Sequence, residues 1–229
     1  MFTPRPVARI RSPFGGKFGT PRQSGLVRSA EGLVELLPPY DRPEALDGLE
    51  GFSHLWLIWA FHETTREDWS PTVRPPRLGG NTRMGVFATR SPFRPNPIGL
   101  SVVELLEVDH AHTRLRVAGV DLTDGTPILD IKPYVPYADA LPHARGGFAS
   151  EAPDAHLDVV FAPGCEDALS TARGLEQLIR ETLALDPRPA YQRTDGRVYR
   201  MTLSGHDITW RVTRERADVL EVRPAKSTP

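Results

Sequence analysis

Several features that would mark common functions are missing from this chain. It has one cysteine, Cys165, in 229 residues, so no internal disulfide is possible, and no grouping of Cys and His has the spacing of a zinc site. The longest apolar run, residues 55–61, is too short to span a bilayer, and the N-terminus lacks the apolar core of a signal peptide. These absences predict a soluble, cytoplasmic protein with no metal site and no membrane contact.

The glycine patterns that cradle nucleotide phosphates are also absent. The chain contains neither GxxxxGK followed by Ser or Thr nor a GxGxxG after a strand, so neither a P-loop nor a Rossmann site is expected. The GxSxG elbow of α/β-hydrolases and the HExxH zinc motif are missing as well. Any nucleoside cofactor must therefore be held by another kind of fold.

Acidic residues are missing from two stretches, although the net charge of the whole chain is only −1. Residues 1–30 carry six Lys and Arg residues and residues 69–94 carry five, and neither stretch contains Asp or Glu. Two basic, loop-rich segments would form an anion-binding face if they converge. The alternative is that each arginine only solvates a loop, since exposed charge is the norm.

Short segments with strand character dominate the first 135 residues. Apolar and basic residues alternate in "PVARIR" as in a half-buried strand, and tight turns are predicted at "DHAHT" and "DLTDGT". Many short strands with shaped turns and almost no helix favour a mainly β fold, a barrel or a sandwich. The predicted strands are residues 6–11, 33–37, 54–61, 84–89, 100–108, 113–120 and 127–134.

The C-terminal third has a different character. Residues 138–157 are rich in Pro, Ala and Gly and indicate a linker or long surface loop, whereas the apolar spacing over 165–185 predicts one helix. A hairpin of residues 198–203 and 208–213 and a strand at 218–223 follow. We therefore predict three parts, listed here in chain order: a β-barrel domain at 1–140, a linker at 141–157 and a smaller α+β domain at 158–229.

The stretch "ATRSPFRPNPIGLS", residues 88–101, holds three prolines within six positions around Arg90 and Arg94. Proline fixes φ and preorganises an extended backbone, so the two guanidinium groups would be presented at little ordering cost. Such a rigid pair suits a carboxylate or phosphate ligand. The structural alternative is a proline-stiffened corner between two barrel strands.

Two pairs of charged residues between positions 121 and 132 are candidates for chemistry. Asp130 and Lys132 lie two apart on a predicted strand and so share a face, where a buried pair of opposite charges would mark a site. Asp121 and Asp124 are more simply explained as turn-capping residues. Taken alone, the residues predict a barrel with a rigid, arginine-bearing face for an anionic or polar ligand, without specifying a reaction.

Five segments of the chain resemble the TsaA/TrmO family of tRNA methyltransferases, also grouped as YaeB-like proteins. They are "FGTPRQSGL", "LEGFSHLWLIWAFH", "RPPRLGGNTRMGVFATRSPFRPNPIGLS", "VDLTDGTPILDIKPYVPYAD" and "DPRPAYQ". The resemblance implies a non-Rossmann β-barrel methyltransferase domain with a smaller C-terminal α+β domain, which binds S-adenosylmethionine near a homodimer interface. It also implies a reaction, the N6-methylation of N6-threonylcarbamoyladenosine beside the anticodon of threonine tRNAs.

The resemblance extends to particular residues. The residues that it implies for the cofactor pocket are Pro21, Arg22, Gln23, His62, Glu63, Arg90, Leu100, Asp121, Leu122, Thr123 and Asp124. The residues that it implies for the adjoining catalytic wall are Asp130, Lys132 and Tyr134. We also expect the anticodon loop to contact the C-terminal domain, whose arginines are Arg188, Arg193, Arg197, Arg200, Arg211, Arg214 and Arg216.

The proposed chemistry makes its own demands on the residues. Methyl transfer is an in-line displacement, which depends mostly on alignment and desolvation. The target nitrogen is ureido-like, so its proton must leave to a base. Three side chains are candidate bases: Asp130, His62 and Tyr134. The threonyl carboxylate needs a cation, and the candidates are Arg90, Arg94 and Lys132.

Two functions of other classes stay open on the residues alone. One is a non-catalytic RNA-binding module, which would not bind S-adenosylmethionine. The other is a small-molecule hydrolase that uses the face of Asp130 and Lys132, and it would turn over substrate without any methyl donor.

Overall fold

The computed structural model describes residues 3–63, 69–188 and 194–225, and these contain twelve strands and three α-helices. The strands are β1 (Ala8–Arg11), β2 (Glu31–Leu36), β3 (His54–Ala60), β4 (Thr72–Val73), β5 (Met84–Gly85), β6 (Ile98–Asp109), β7 (Arg114–Ala118), β8 (Pro127–Pro133), β9 (Asp158–Phe161), β10 (Val198–Leu203), β11 (His206–Thr213) and β12 (Arg216–Pro224). The helices are α1 (Pro136–Asp139), α2 (Glu166–Thr171) and α3 (Leu175–Ala184). Short 3-10 helices lie at Pro43–Leu46, Leu49–Gly51, Pro76–Leu78, Val86–Ala88 and Gly147–Ala149.

Six strands close into a barrel in the order β1-β2-β7-β6-β3-β8, with every neighbouring pair antiparallel. Strand β3 shows why these residues suit a barrel: Leu55, Leu57 and Trp59 point inward and are buried, and the residues between them face outward. Closure also leaves no unpaired edge. The predicted mainly β, barrel-containing fold is confirmed.

The antiparallel order places the barrel connections alternately at two ends. The segments after β1, β3 and β7 gather at one end, which we call the upper rim; its described residues are 12–30, 61–63, 69–97 and 119–126. The lower rim consists of residues 37–53 and 110–113 and the chain that follows β8. Residues from distant parts of the sequence therefore meet at the upper rim.

Two predicted elements are different in the structure. Residues 84–89 were expected to form a strand, but only Met84–Gly85 pairs, with β4 in a two-stranded sheet outside the barrel, and a 3-10 helix follows. The single helix predicted over 165–185 is wrong as well, because the chain breaks between α2 and α3. Gly174 adopts φ 78° there, a left-handed conformation that glycine accepts without a Cβ clash.

The C-terminal sheet has the order β10-β11-β12-β9, with the short β9 parallel to β12 and absent from the sequence prediction. Its core includes Trp210, which is fully buried. Phe18 of the upper rim stacks at 6.2 Å from the ring of Tyr199 and 6.3 Å from that of Trp210. The upper rim is thus packed directly against this sheet. The boundaries predicted at 140, 157 and 158 stay predictions.

Residues 3–63, 69–188 and 194–225 contain neither a membrane-spanning helix nor a metal-binding cluster. In those ranges no helix combines the length and apolar character needed to cross a bilayer. The same residues contain no cluster of three or more His, Cys, Asp or Glu side chains arranged to hold a metal ion. Cys165 is buried in the C-terminal core, and its pKa is raised by burial, so its thiol is protonated near neutral pH.

Candidate functional site at the upper rim

A chain of three hydrogen-bonded side chains links the barrel interior to the upper rim. The indole Nε1 of Trp59 donates to Ser101 Oγ at 3.0 Å, and Ser101 Oγ donates to Asp121 Oδ1 at 2.6 Å. An indole N–H can only donate, so the hydroxyl must direct its own proton to the carboxylate. We call these three residues the rim relay. It fixes the position of Asp121 where β7 leads into the turn.

Gly99 allows the rim relay to form. A Cβ placed on Gly99 would lie only 2.2 Å from Cε2 of the Trp59 ring, because β6 passes directly across the face of the indole. Only glycine leaves that space free. The Gly99 that follows the proline-rich stretch therefore serves close packing against the side chain that starts the relay.

Arg90 and Gln23 face Asp121 from two other rim segments. Arg90 Nη1 donates to Gln23 Oε1, and Arg90 also interacts electrostatically with the Asp121 carboxylate. We call residues 12–30 the first rim segment. The backbone N–H of Gly25 donates to the Gly119 carbonyl at 2.8 Å and ties this segment to the turn of residues 119–126. The rim thus holds a guanidinium, an amide and a carboxylate together.

Asp121 has an unusual pKa for a surface turn. Burial raises the pKa of its carboxyl group to about 6, and this outweighs the opposing effects of the Ser101 hydrogen bond and of Arg90. A carboxylate with a pKa near physiological pH can both hold and accept a proton, so Asp121 is a candidate acid–base group.

The proline-rich loop that carries Arg90 and Arg94 is held by its own backbone. The Arg94 N–H donates to the Pro92 carbonyl at 2.9 Å, and the Ile98 N–H donates to the Asn96 carbonyl at 2.8 Å. Arg94 Nη1 reaches the Thr89 carbonyl at 3.4 Å. These bonds and the prolines make the loop stiff, and both arginines lie on the upper rim.

His62 and Glu63 also lie on the upper rim, next to the first rim segment. Lys17 Nζ donates to the Glu63 carbonyl at 2.8 Å and lies 3.8 Å from its carboxylate. His62 is exposed. The structure therefore brings the predicted residues of both segments to the same end of the barrel, together with the half-buried Pro21 and the exposed Arg22.

The turn that follows Asp121 is held by two hydrogen bonds to Ser12, which follows β1, and by one internal bond. Leu122 is buried and its carbonyl accepts the Ser12 hydroxyl at 2.6 Å, while Asp124 Oδ1 accepts the Ser12 N–H at 2.9 Å. The Thr126 hydroxyl donates to the Thr123 carbonyl at 2.7 Å. Asp124 therefore ties the turn to the residue after β1, whereas Asp121 belongs to the rim relay, and the turn-capping role suggested for both stays a prediction.

The three predicted catalytic residues lie apart from the rim relay. Lys132 Nζ lies 2.9 Å from Asp130 Oδ2, and both side chains are at least half exposed on the outer wall of the barrel rather than buried inside it. Tyr134 follows the far end of β8, where its N–H donates to the His54 carbonyl at 3.0 Å. It is eight residues beyond Thr126, roughly 26 Å of extended chain. The catalytic roles of these residues stay predictions.

Leu100 lies between the rim relay and the outer-wall pair of Asp130 and Lys132. It precedes Ser101 on β6, and its side chain is 52% exposed on the outer wall. It pairs with Ile58, which in turn pairs with Asp130 across β3 and β8. Leu100 is therefore two strands from Asp130, roughly 10 Å, on the same outer wall.

Sequence reasoning missed Ser101 and Trp59 as site residues. Trp59 is buried inside the barrel, and its N–H starts the rim relay. One signal was present: Ser101 alternates with Val103 on an otherwise apolar inward-facing row. A single hydroxyl on such a row needs a buried partner.

Two cavities lie away from the rim relay. One of about 310 Å³ is lined by Leu26, Leu157 and Arg180, and one of about 510 Å³ by Pro13, Arg116 and other residues between the barrel and α3. Neither is lined by Asp121 or Arg90. The concentration of charged and hydrogen-bonding groups, and not cavity size, marks the upper rim as the candidate site.

Comparison with known proteins supplies two family models that match the chain. The model described as the tRNA-methyltransferase O N-terminal domain matches residues 9–140. The model described as the TrmO C-terminal domain matches residues 154–225. Together they cover the barrel, the upper rim and the C-terminal sheet.

Individual relatives match over nearly the full length. The chain is 50% identical over 226 residues to the tRNA (adenine(37)-N6)-methyltransferase of Escherichia coli (strain K12), covering 95% of this chain and 96% of that protein. It is 47% identical over 215 residues to a Pseudomonas aeruginosa protein whose name provisionally describes it as the S-adenosylmethionine-dependent methyltransferase RcsF, covering 91% and 92%. A crystal structure of TrmO from Pseudomonas aeruginosa matches with a TM-score of 0.82 at 40% identity, covering 97% of this chain and 98% of that one.

Proposed function

The chain belongs to the TrmO family of S-adenosylmethionine-dependent tRNA methyltransferases, and on this basis we propose that it methylates N6 of adenosine 37 in tRNA. We propose further that its substrate is N6-threonylcarbamoyladenosine in threonine tRNAs, within the cytoplasm. The observation that supports a reaction at the upper rim is the convergence there of Gln23, Arg90 and Asp121.

The upper rim fits the chemical groups of S-adenosylmethionine. The methionyl part of this cofactor carries an ammonium and a carboxylate beside a cationic sulfonium, and the rim offers an anionic carboxylate, Asp121, and a cationic guanidinium, Arg90. When bound, the cofactor supplies an electrophilic methyl group. The residues that we propose to hold it are Pro21, Arg22, Gln23, His62, Glu63, Arg90, Leu100, Asp121, Leu122, Thr123 and Asp124.

The residues of the rim contribute alignment and exclusion of water. Direct displacement needs the reacting atoms to be positioned closely, and a rigid surround removes the cost of ordering them. The stiff proline-rich loop and the rim relay provide such a surround. Methyl transfer therefore needs no covalent intermediate with the protein.

A proton must leave the ureido-like N6 atom, and we propose Asp121 rather than Asp130 as its acceptor. Asp121 is desolvated beside Arg90, with a pKa of about 6, whereas Asp130 is exposed and paired with Lys132. A pH profile separates the two: we expect kcat/KM to fall below about pH 6 in the wild type. Asp121→Asn should abolish this limb, and Asp130→Asn should keep it. The opposite result would support the outer-wall residues Asp130, Lys132 and Tyr134.

The threonyl carboxylate of the substrate requires a cation, and Arg94 and Lys132 are the candidates outside the proposed cofactor set. Charge reversal at the right residue should remove the preference for threonylcarbamoyl adenosine over plain adenosine. If both Arg94→Glu and Lys132→Glu retain that preference, neither residue binds the carboxylate.

Of the C-terminal arginines, Arg188 is buried against Asp186, whereas Arg200 and Arg214 are exposed, and Arg193 lies outside the described residues.

We also propose that the protein is a homodimer that joins through the outer wall near Leu100. Ile98 and Leu100 are 42% and 52% exposed on β6, an apolar pair that a partner would cover. Light scattering of Ile98→Asp should then give the mass of one chain, 25.4 kDa, where the wild type gives twice that value. A wild-type mass of 25.4 kDa would contradict the dimer.

The reaction itself is tested by methyl transfer. Purified protein is mixed with labelled S-adenosylmethionine and threonine tRNA, with or without the threonylcarbamoyl group, and the digested nucleosides are identified by mass. Methylation of the carbamoylated tRNA alone would establish both reaction and substrate. Methylation of both would keep the coarser activity and reject the substrate. tRNA binding without transfer would favour an RNA-binding module.

A further inference from the structure

An exposed aromatic pair stands on the upper rim outside the barrel. The rings of Trp69 and Phe87 stack with centroids 6.5 Å apart and an interplanar angle of 28°. Trp69 is 51% exposed and Phe87 is 76% exposed, so much of both rings faces solvent. Large aromatic surfaces left open in this way usually mark an interaction site.

The pair lies in the most basic part of the rim. Residues 69–97 contain five arginines and no acid, although Glu67 and Asp68, outside the described residues, precede them in sequence. Arg94 donates to the neutral Thr89 carbonyl, and Arg77 donates to the carbonyl of Glu151, which brings one acidic residue against the five arginines and leaves an excess of positive charge. The surface around the two rings therefore attracts polyanions.

The aromatic pair is close to the candidate active site. Phe87 lies on the 3-10 helix Val86–Ala88, only three residues before Arg90. Three Cα–Cα steps span at most about 11 Å, so the ring surface begins within one or two nucleotides of the group that faces Asp121. The hairpin of β4 and β5 fixes this position, with Val86 N–H donating to the Pro71 carbonyl at 2.9 Å.

We propose that Trp69 and Phe87 form a stacking platform for unpaired bases of the anticodon loop that flank the target adenosine. This inference rests on the proposed function and names a part of its substrate-binding surface. Single-stranded bases stack on aromatic rings in RNA-binding proteins, and adjacent arginines neutralise the phosphates. Stacking there holds the loop open while the target base enters the rim.

The charge distribution favours RNA over a second copy of this chain as the occupant. A two-fold contact would bring the same patch of each copy together, so five arginines would face five arginines. RNA phosphates are complementary to the same charges. We propose the outer wall near Ile98 for the dimer instead, because its exposed residues Ile98 and Leu100 are apolar and do not repel each other.

The test uses the full chain and an anticodon stem-loop RNA with 2-aminopurine at the nucleotide 3′ of the target adenosine. The fluorescence of this base falls when it stacks on a ring. We expect wild-type protein to quench it, and Trp69→Ala and Phe87→Ala to lose the quenching and bind about tenfold more weakly. Trp69→Tyr should retain both, because it keeps an aromatic face.

Salt dependence separates stacking from charge. The slope of log affinity against log salt should be unchanged in Trp69→Ala, and in Arg83→Gln it should fall by about one phosphate contact. Tyr40→Ala is the matched control, since Tyr40 is a 38% exposed aromatic residue on the lower rim. It should bind RNA like the wild type.

RNA stacking and methyl transfer can fail independently in these experiments. Full quenching and affinity in both alanine variants would overturn the platform even if the wild type methylates tRNA. A monomeric Phe87→Ala with unchanged RNA binding would show that the rings meet a second copy. If the wild type quenches the fluorescence but transfers no methyl group, the proposed methyltransferase activity is rejected and the stacking platform is supported. If the wild type does not bind RNA, both proposals are rejected.

Discussion

Single atoms decide whether the rim relay can form. Gly99 leaves room for the Trp59 indole, the indole N–H orients the Ser101 hydroxyl, and that hydroxyl donates to Asp121. The indole can only donate, the hydroxyl accepts and donates, and the ionised carboxylate only accepts, so the direction of the relay is fixed. Small changes at these positions therefore alter a charged group on the rim.

Gly99→Ala should disrupt the relay from within. Its methyl carbon would fall 2.2 Å from the Trp59 ring, so the ring or the strand must shift, at a cost of about 1–3 kcal/mol in the free energy of unfolding. Methyl transfer should also fall as the Trp59 bond is lost. Urea unfolding and initial rates measure the two effects. Gly51→Ala, which meets nothing within 4 Å, is the control; equal behaviour of the two variants would contradict the account.

Asp121→Asn should lower methyl transfer, and it should raise stability relative to the wild type more at neutral pH than at acidic pH. The folded-state pKa is raised from 3.8 to about 6, so the native protein binds this proton more tightly than the unfolded chain does. Wild-type stability then falls as pH rises from about 4 to 6, by roughly 3 kcal/mol at most. The variant lacks this loss, so its stability relative to the wild type should be greater at pH 7.5 than at pH 4. Urea unfolding at both values tests this, and an equal difference at both would refute it.

Among the elements, the first rim segment is held from two directions. Gly25 bonds to Gly119 of the β7–β8 turn, and Phe18 packs on Tyr199 and Trp210 of the C-terminal sheet. Gly19, with φ 96°, brings the backbone against Met201, since a Cβ there would lie 3.0 Å from Met201 Sδ. The C-terminal sheet thus positions a loop of the barrel.

Phe18→Ala should therefore weaken cofactor binding from a distance. Loss of the aromatic stack frees the segment that carries Arg22 and Gln23, while the rim relay itself stays intact. We expect a several-fold rise in the Kd for S-adenosylmethionine by calorimetry. Phe52→Ala, at a 38% exposed ring on the lower rim, should leave that Kd unchanged. A normal Kd for Phe18→Ala would show that the sheet does not position the segment.

At the scale of the whole molecule, the barrel and the C-terminal sheet share one core. Phe14 is buried, forms a bridge with Leu203, and joins the two groups of apolar residues. Ser29 N–H and hydroxyl donate to Glu181 of α3 at 2.9 and 3.0 Å, which adds a polar link. We therefore expect the two parts to unfold in one cooperative transition.

Phe14→Ala should lower the stability of both parts at once. Truncating this buried ring costs about 3–5 kcal/mol, and far-UV circular dichroism and tryptophan fluorescence should still give coincident urea midpoints, both reduced. Wild-type midpoints should coincide as well. Separate transitions in the wild type would show that the barrel and the sheet are independent.

The sequence by itself determined most barrel strands, since period-two alternation such as that of Leu55, Leu57 and Trp59 is a local property. It also carried the family resemblance and the acid-free segments. It failed at residues 84–89, because β4 pairs with Met84 and Gly85 alone and a 3-10 helix follows, and at the α2–α3 break, where Gly174 interrupts the helical spacing.

Only the tertiary structure decided which predicted residues meet. Alternation shows that Asp130 and Lys132 share a face, but barrel closure decides that this face points outward. Closure likewise brings Gln23, Arg90, Ser101 and Asp121 to one rim from four separate segments. The physical reason is that burial and convergence depend on long-range strand pairing, which local residue patterns do not encode.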